Sequence, residues 1–128
     1  MNRKAFIKNT ALAGSAGLLC ACSDELGGEK ILHTVMFKLK HAKDSPEEKK
    51  FLKDSYDILS KIEVAKNFRV LRQVGKKNDF NFALSMLFDS QKDYDSYNNN
   101  PNHLAYVKQR WEREVESFLE SDFRAYKL

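Results

Sequence analysis

The stretch Phe80-Asn-Phe-Ala-Leu-Ser-Met-Leu-Phe88 sets Phe80, Phe82, Leu84, Met86 and Phe88 on one side of an extended chain, the most heavily apolar row in the sequence. A row of that density at period two belongs to a strand whose face is core. Just upstream, Gly75-Lys-Lys-Asn-Asp79 is a turn, and Phe68 to Val74 alternates with Phe68, Val70, Arg72 and Val74 on one side. The two segments therefore predict a hairpin. Farther upstream, Ile31 to Leu39 alternates too, with Ile31, His33, Val35, Phe37 and Leu39 on the more apolar face. His33 then starts a row that faces the interior, as a core or pocket-rim histidine. Between these strands, Ser45-Pro-Glu-Glu is a capping box with proline at the first helical position, and Leu52, Ser55 or Tyr56, Leu59 and Ile62 carry the stripe of a helix over residues 46–62.

Downstream of Phe88, residues 90–98 form a short capped helix, a longer helix starts at Pro101 and runs to about Glu120, and residues 121–128 make an extended edge strand. Strand, helix, strand, strand, helix pair, strand is a split βαβ, ferredoxin-like α+β plan. With 128 residues there is room for one domain, spanning residues 31–128, and no repeat or phosphate loop interrupts it.

The start of the Pro101 helix carries the most suggestive chemistry. Proline removes an amide that the first turn cannot satisfy, and Asn100 can cap those that remain. His103 falls in that first turn, where the helix dipole disfavours imidazolium and favours the neutral, base-competent ring. From there Leu104, Val107, Trp111, Val115 and Phe118 recur at steps of three and four and mark one apolar face with His103 at its edge. The plainer alternative is that His103 caps or packs the helix start.

The charge balance belongs mostly to the leader. Without Arg3, Lys4 and Lys8 the 22 basic residues become 19 against 18 acidic ones. That near-neutral remainder, with no basic stripe, gives no footprint for nucleic acid. Residues 1–21 have a basic start and a short apolar run from Ala11 to Leu19, as a signal peptide does. The run ends Leu19-Cys-Ala-Cys22, which resembles a bacterial lipobox with Cys22 as the lipidated residue. Asn2-Arg-Lys-Ala-Phe-Ile-Lys8 is similar to a twin-arginine export signal, with Lys4 in place of the second arginine. Residues 22–30 are a polar tether. The expectation is a protein held in the bacterial cell envelope through lipid on Cys22. Cys20-x-Cys22 lacks the further ligands that a metal site needs, and no cofactor is called for.

Together, His33-Thr-Val-Met-Phe-Lys, Phe82-Ala-Leu-Ser-Met-Leu-Phe-Asp-Ser, Tyr97-x-x-x-Pro-x-His103 and the terminal Asp122-Phe pair resemble the stress-responsive A/B barrel (Dabb) domain over roughly residues 30–128. The resemblance implies a dimeric α+β barrel with a pocket between sheet and helices in each subunit. A sheet covered on one side only also leaves an apolar face in need of a partner. Ala83, Ser85 and Leu87 would look across such a homodimer while the Phe80 to Phe88 row meets the helices. By resemblance to a plant polyketide-cyclase branch, His103 is a general base, Tyr97 a carbonyl-orienting group, His33 a lining residue of the same pocket, and Asp122 the group that fixes the tautomer of His103. Phe82 stands where that branch has a polar pocket residue, which implies a more apolar pocket and departs from polyketide cyclisation.

Three functional expectations follow. One is a non-catalytic, homodimeric binding module for a small apolar or carbonyl-containing ligand. The second is a lyase- or cyclase-like enzyme in which His103 abstracts a proton beside a carbonyl and Tyr97 hydrogen-bonds the enolate. The third is a haem-handling or monooxygenase-like barrel with histidine on the iron. Trp111 and the remaining tyrosines are expected in the core or an interface.

Overall fold

Phe82, Leu84, Met86 and Phe88 are the spine of a four-stranded antiparallel sheet in the computed structural model, which describes residues 25–128. The leader and Cys22 lie outside the described residues. The strands are β1 (Ile31–Leu39), β2 (Lys66–Arg72), β3 (Phe82–Phe88) and β4 (Val115–Phe123), in the spatial order β2-β3-β1-β4. Three helices cover one face: α1 (Pro46–Leu59), α2 (Gln91–Asn99) and α3 (Pro101–Tyr106). A π-helical turn, Val107–Trp111, and a last α-helical turn, Glu112–Glu114, lead from α3 into β4. This is the ferredoxin-like α+β fold. Among the described residues no helix is long and apolar enough to cross a membrane.

The strict alternation of β1 turns Ile31, His33, Val35, Phe37 and Leu39 toward the helices. There Val35, Phe37 and Leu39 meet Phe51 and Leu59 of α1 and the even-numbered row of β3. α1 begins as its capping box requires: Ser45 Oγ accepts from the Glu48 amide at 3.2 Å, and the Glu48 carboxylate turns back to accept from the Asp44 amide at 3.1 Å. Of the two stripe candidates at the middle of α1, Ser55 is the buried one, with its hydroxyl 2.5 Å from Tyr106 Oη, and Tyr56 is exposed.

Register then fixes the site. β1 lies between β3 and β4, so His33 faces Met86 on one side and Asp122 on the other, Val35 faces Leu84 and Glu120, and Phe37 faces Phe82 and Phe118. All these side chains share the helix-covered side of the sheet, because directly opposed residues in a ladder point the same way.

Three expectations need correction. The Pro101 helix does not reach Glu120: helical structure ends at Glu114, and β4 takes Val115–Phe123 in place of residues 121–128. A strand from 121 could pair with little of β1, whereas β4 pairs along it from Leu32–Phe123 to Leu39–Val115. Second, Leu104 is 53 % exposed, and Tyr106 occupies the buried position. The π-turn explains this: its i→i+5 hydrogen bonding brings Tyr106 and Trp111, five residues apart, to the same interior side with ring centroids 6.4 Å apart. Third, the hairpin strands are shifted. β2 ends at Arg72 and β3 starts at Phe82, since Gln73 bonds through its amide to Asn81 O and through its side chain to Asn78 and Phe80 O, closing residues 73–81 into a loop.

Candidate functional site

Between the sheet and α2, α3 and the π-turn lies a cavity of about 290 Å³. Val35, Leu84, Met86, Trp111 and Phe118 make it largely apolar, and His33, Tyr97, His103 and Glu120 bring polar atoms to its wall. The structure thus places His33, Tyr97 and His103 around one space. Phe82 is not among its lining residues. It packs against Phe37 at 5.8 Å between centroids and belongs to the far end of the sheet.

Asp122 also has a different partner from the one expected. Its Oδ1 lies 2.5 Å from His33 Nδ1, because the β1–β4 register sets the two residues opposite each other, and it does not orient His103. Tyr94 of α2 completes the group: its hydroxyl donates to Asp122 Oδ2 at 3.1 Å and lies 3.0 Å from His33 Nδ1. A carboxylate only accepts, so Nδ1 of His33 carries the proton and Nε2 is left as the open nitrogen, 3.8 Å from Glu120 Oε1. Burial first, and then the Asp122 charge, push the Tyr94 phenol far above its ordinary pKa, so it stays a donor. His33 is 5 % exposed, and its ring is flanked by Tyr94 at 5.1 Å and Phe88 at 6.2 Å.

His103 is held differently. α3 starts with Asn100 Oδ1 accepting from the Asn102 amide at 2.8 Å and with Pro101 in the first turn. The His103 ring packs on Tyr97 at 4.3 Å, and its Nδ1 donates to the Asn98 carbonyl at 3.3 Å. Here too a pure acceptor fixes the tautomer and leaves Nε2 open. Burial pushes the His103 pKa below its ordinary value, with repulsion from His33 acting the same way and the Asn98 contact opposing it. The neutral ring expected from the helix start is thus favoured, with desolvation as the leading cause.

Tyr97 lines the same cavity, with its ring against His103. It is 3 % exposed, burial pushes its phenol far above the ordinary pKa, and among the described residues its hydroxyl has no hydrogen-bond partner. A buried phenol left unpaired costs about 1–3 kcal/mol. Tyr94 and Glu120 are the site residues that sequence reasoning missed. Tyr94 was within reach, since it sits three residues before Tyr97 on the same side of α2. Among the described residues no group of three or more His, Cys, Asp or Glu side chains is placed to hold a metal ion.

The sequence pattern of the stress responsive A/B barrel domain matches residues 31–125. The chain belongs to the Dabb family. A Dabb family protein with a ferredoxin-like fold from Mesorhizobium loti is 47 % identical, covering 78 % of this chain and 100 % of that one, with a TM-score of 0.77. A dimeric protein of unknown function from Bacteroides fragilis is 27 % identical over 75 % of this chain and 96 % of that one, with a TM-score of 0.55. The hydroxynitrile lyase of Passiflora edulis shares the fold at 18 % identity, covering 78 % and 96 % of the two chains with a TM-score of 0.66. No curated protein matches this Dabb chain.

Proposed function

We propose that this Dabb protein is a homodimeric small-molecule-binding module, exported and held at the cell envelope through lipid on Cys22, whose cavity takes a small, mostly apolar ligand bearing one carbonyl-type acceptor. The observation that carries the reading is the Tyr97 hydroxyl, buried and without a partner among the described residues, against an apolar cavity of about 290 Å³ that His33 lines from the sheet and His103 from α3. A ligand carbonyl would satisfy that donor, and the apolar lining would take the rest of the molecule. Dimerisation has separate support. The bare face of the sheet carries Leu71, Leu119 and Phe123, the last 51 % exposed, alongside Leu32 and Met36, and the Bacteroides fragilis relative is described as dimeric.

The enzyme reading is favoured by the Tyr94–Asp122–His33 arrangement. A carboxylate that orients an imidazole and leaves its other nitrogen on a cavity is the geometry of a general base. It moves the candidate base from His103 to His33. Tyr97 would then bond the enolate oxygen as charge develops.

Titration calorimetry with a small aryl ketone such as acetophenone tests both. Binding to wild type that is lost in Tyr97→Phe supports the binding module, and slow exchange of the ketone's α-protons into deuterated water that stops in His33→Gln supports the enzyme. Acetophenone and its short-chain aliphatic counterparts all failing to bind would sink the proposal. Mass spectrometry of the membrane fraction, wild type against Cys22→Ser, tests the anchor separately.

A further inference from the structure

Residues 25–30 are not a free tether. Glu25 Oε2 accepts from the Asn67 side-chain amide at 3.2 Å, at the start of β2, and the Glu29 carbonyl accepts from the Arg124 guanidinium at 3.5 Å, just past the end of β4. β2 and β4 are the two edges of the sheet, so the run crosses one whole end of it, turning at Gly28 with a φ of +67° and half-burying Leu26 on the way. β1 and β2 start at this end, and β3 and β4 finish there. In sequence only Ser23 and Asp24 separate Glu25 from Cys22. Three residue steps span about 10 Å at full extension. With lipid on Cys22, this end of the sheet is therefore held close to the bilayer surface.

The chain that leaves the sheet at the same end fits such a surface. The run Arg124-Ala-Tyr-Lys-Leu128 follows β4 without helix or strand, and in it Tyr126 is 86 % exposed and Leu128 fully so. An aromatic and an aliphatic side chain interleaved with basic ones suit the headgroup layer, where ring and alkyl group reach toward the acyl chains while the cationic heads stay with the phosphates. Three carboxylates at this end are already engaged, Asp89 by Lys66, Glu29 by Arg124 and Glu25 by Asn67. A second copy is the competing occupant, but the face assigned to dimerisation is the bare side of the sheet, and this run continues past its end. We propose that residues 124–128 make a second, interfacial contact with the lipid bilayer and, together with Cys22, lay this end of the sheet on the membrane. The inference rests on Cys22 being the lipidated residue.

The test places the protein, expressed as the full chain with its own leader and extracted from membranes, in vesicles of phosphatidylcholine and phosphatidylglycerol whose acyl chains carry bromine, a contact quencher of indole fluorescence. Two variants are compared, Tyr126→Trp and Val74→Trp, with wild type giving the background from Trp111. Val74 is 90 % exposed in the loop at the opposite end of the sheet, so both positions report from the surface and the melting temperature should be unchanged in each. The indole at position 126 should emit at shorter wavelength and be quenched several-fold more strongly than the one at position 74. Equally weak quenching at both positions, in protein whose intact mass shows acyl chains on Cys22, would overturn the inference and leave the anchor standing. Short-wavelength emission at position 126 without quenching would give the run to a second copy and overturn it too. An intact mass without acyl chains would remove the anchor, and this contact with it.

Discussion

His33 and His103 face the same cavity with the same nitrogen free, yet the fold holds them by different means. His33 is gripped by a strand register, a carboxylate on β4 and a phenol on α2, at distances of 2.5 and 3.0 Å. His103 rests on one backbone carbonyl at 3.3 Å, at the start of a helix of six residues. The first is part of what holds the sheet to α2, whereas the second lines the cavity without tying elements together. A histidine's place beside a cavity therefore says less about its role than the number of elements that must agree to hold it there.

Breaking the His33 side should have the largest effect. Asp122→Ala removes the carboxylate that His33 Nδ1 and the Tyr94 hydroxyl share and leaves the two buried groups only each other, 3.0 Å apart, a loss of about 1–3 kcal/mol. For a domain of this size that lowers the melting temperature by roughly 4–8 °C per kcal/mol, readable by thermal unfolding. Tyr94→Phe should cost less, about 0.5–1.5 kcal/mol, since Asp122 still holds His33 and the stacking of ring 94 on Phe88 at 4.8 Å survives. If Tyr94→Phe costs as much as Asp122→Ala, the phenol and not the carboxylate is the organising group. Tyr97→Phe stands apart: removing a buried hydroxyl that has no partner should leave the melting temperature level or raise it, while ligand affinity falls.

The period-two rows of β1, β2 and β3 carried three strands of the sheet, and with them the fold, because one face of each meets the core. It misplaced the start of β4 for a physical reason. A register shift between Lys38 and Leu39 pairs Phe37 with Phe118 and Leu39 with Val115, so that Val115 and Phe118, three residues apart, both face the helices. A bulged strand thus imitates helical spacing. The π-turn added the complementary error by putting Tyr106 and Trp111, at a spacing no ordinary helix would align, on the interior side. The site was legible as far as local chemistry reaches: His103, Tyr97 and His33 come to one cavity. Asp122 was assigned to the wrong histidine because its partner is decided by the pairing of β4 with β1, 89 residues away in sequence.

The smallest effect sharpens the comparison most. In His103 burial depresses the folded-state pKa below the ordinary value of 6.5, so between those two values the unfolded chain binds more protons than the folded one. Stability contributed by the neutral ring is then complete above about pH 6.5 and is lost as pH falls through the folded pKa. His103→Gln removes that dependence. At pH 7.5 the variant should melt within the shift expected of about 0.5 kcal/mol from wild type, as for a side chain that ties no elements together. The gap between the two proteins should then move in favour of the variant as the pH is lowered toward 5. A variant that melts far below wild type at pH 7.5 would make His103 a structural residue like His33. A gap that grows against the variant on acidification would mean that the folded protein prefers His103 charged, and the neutral ring on the cavity wall would have to be abandoned.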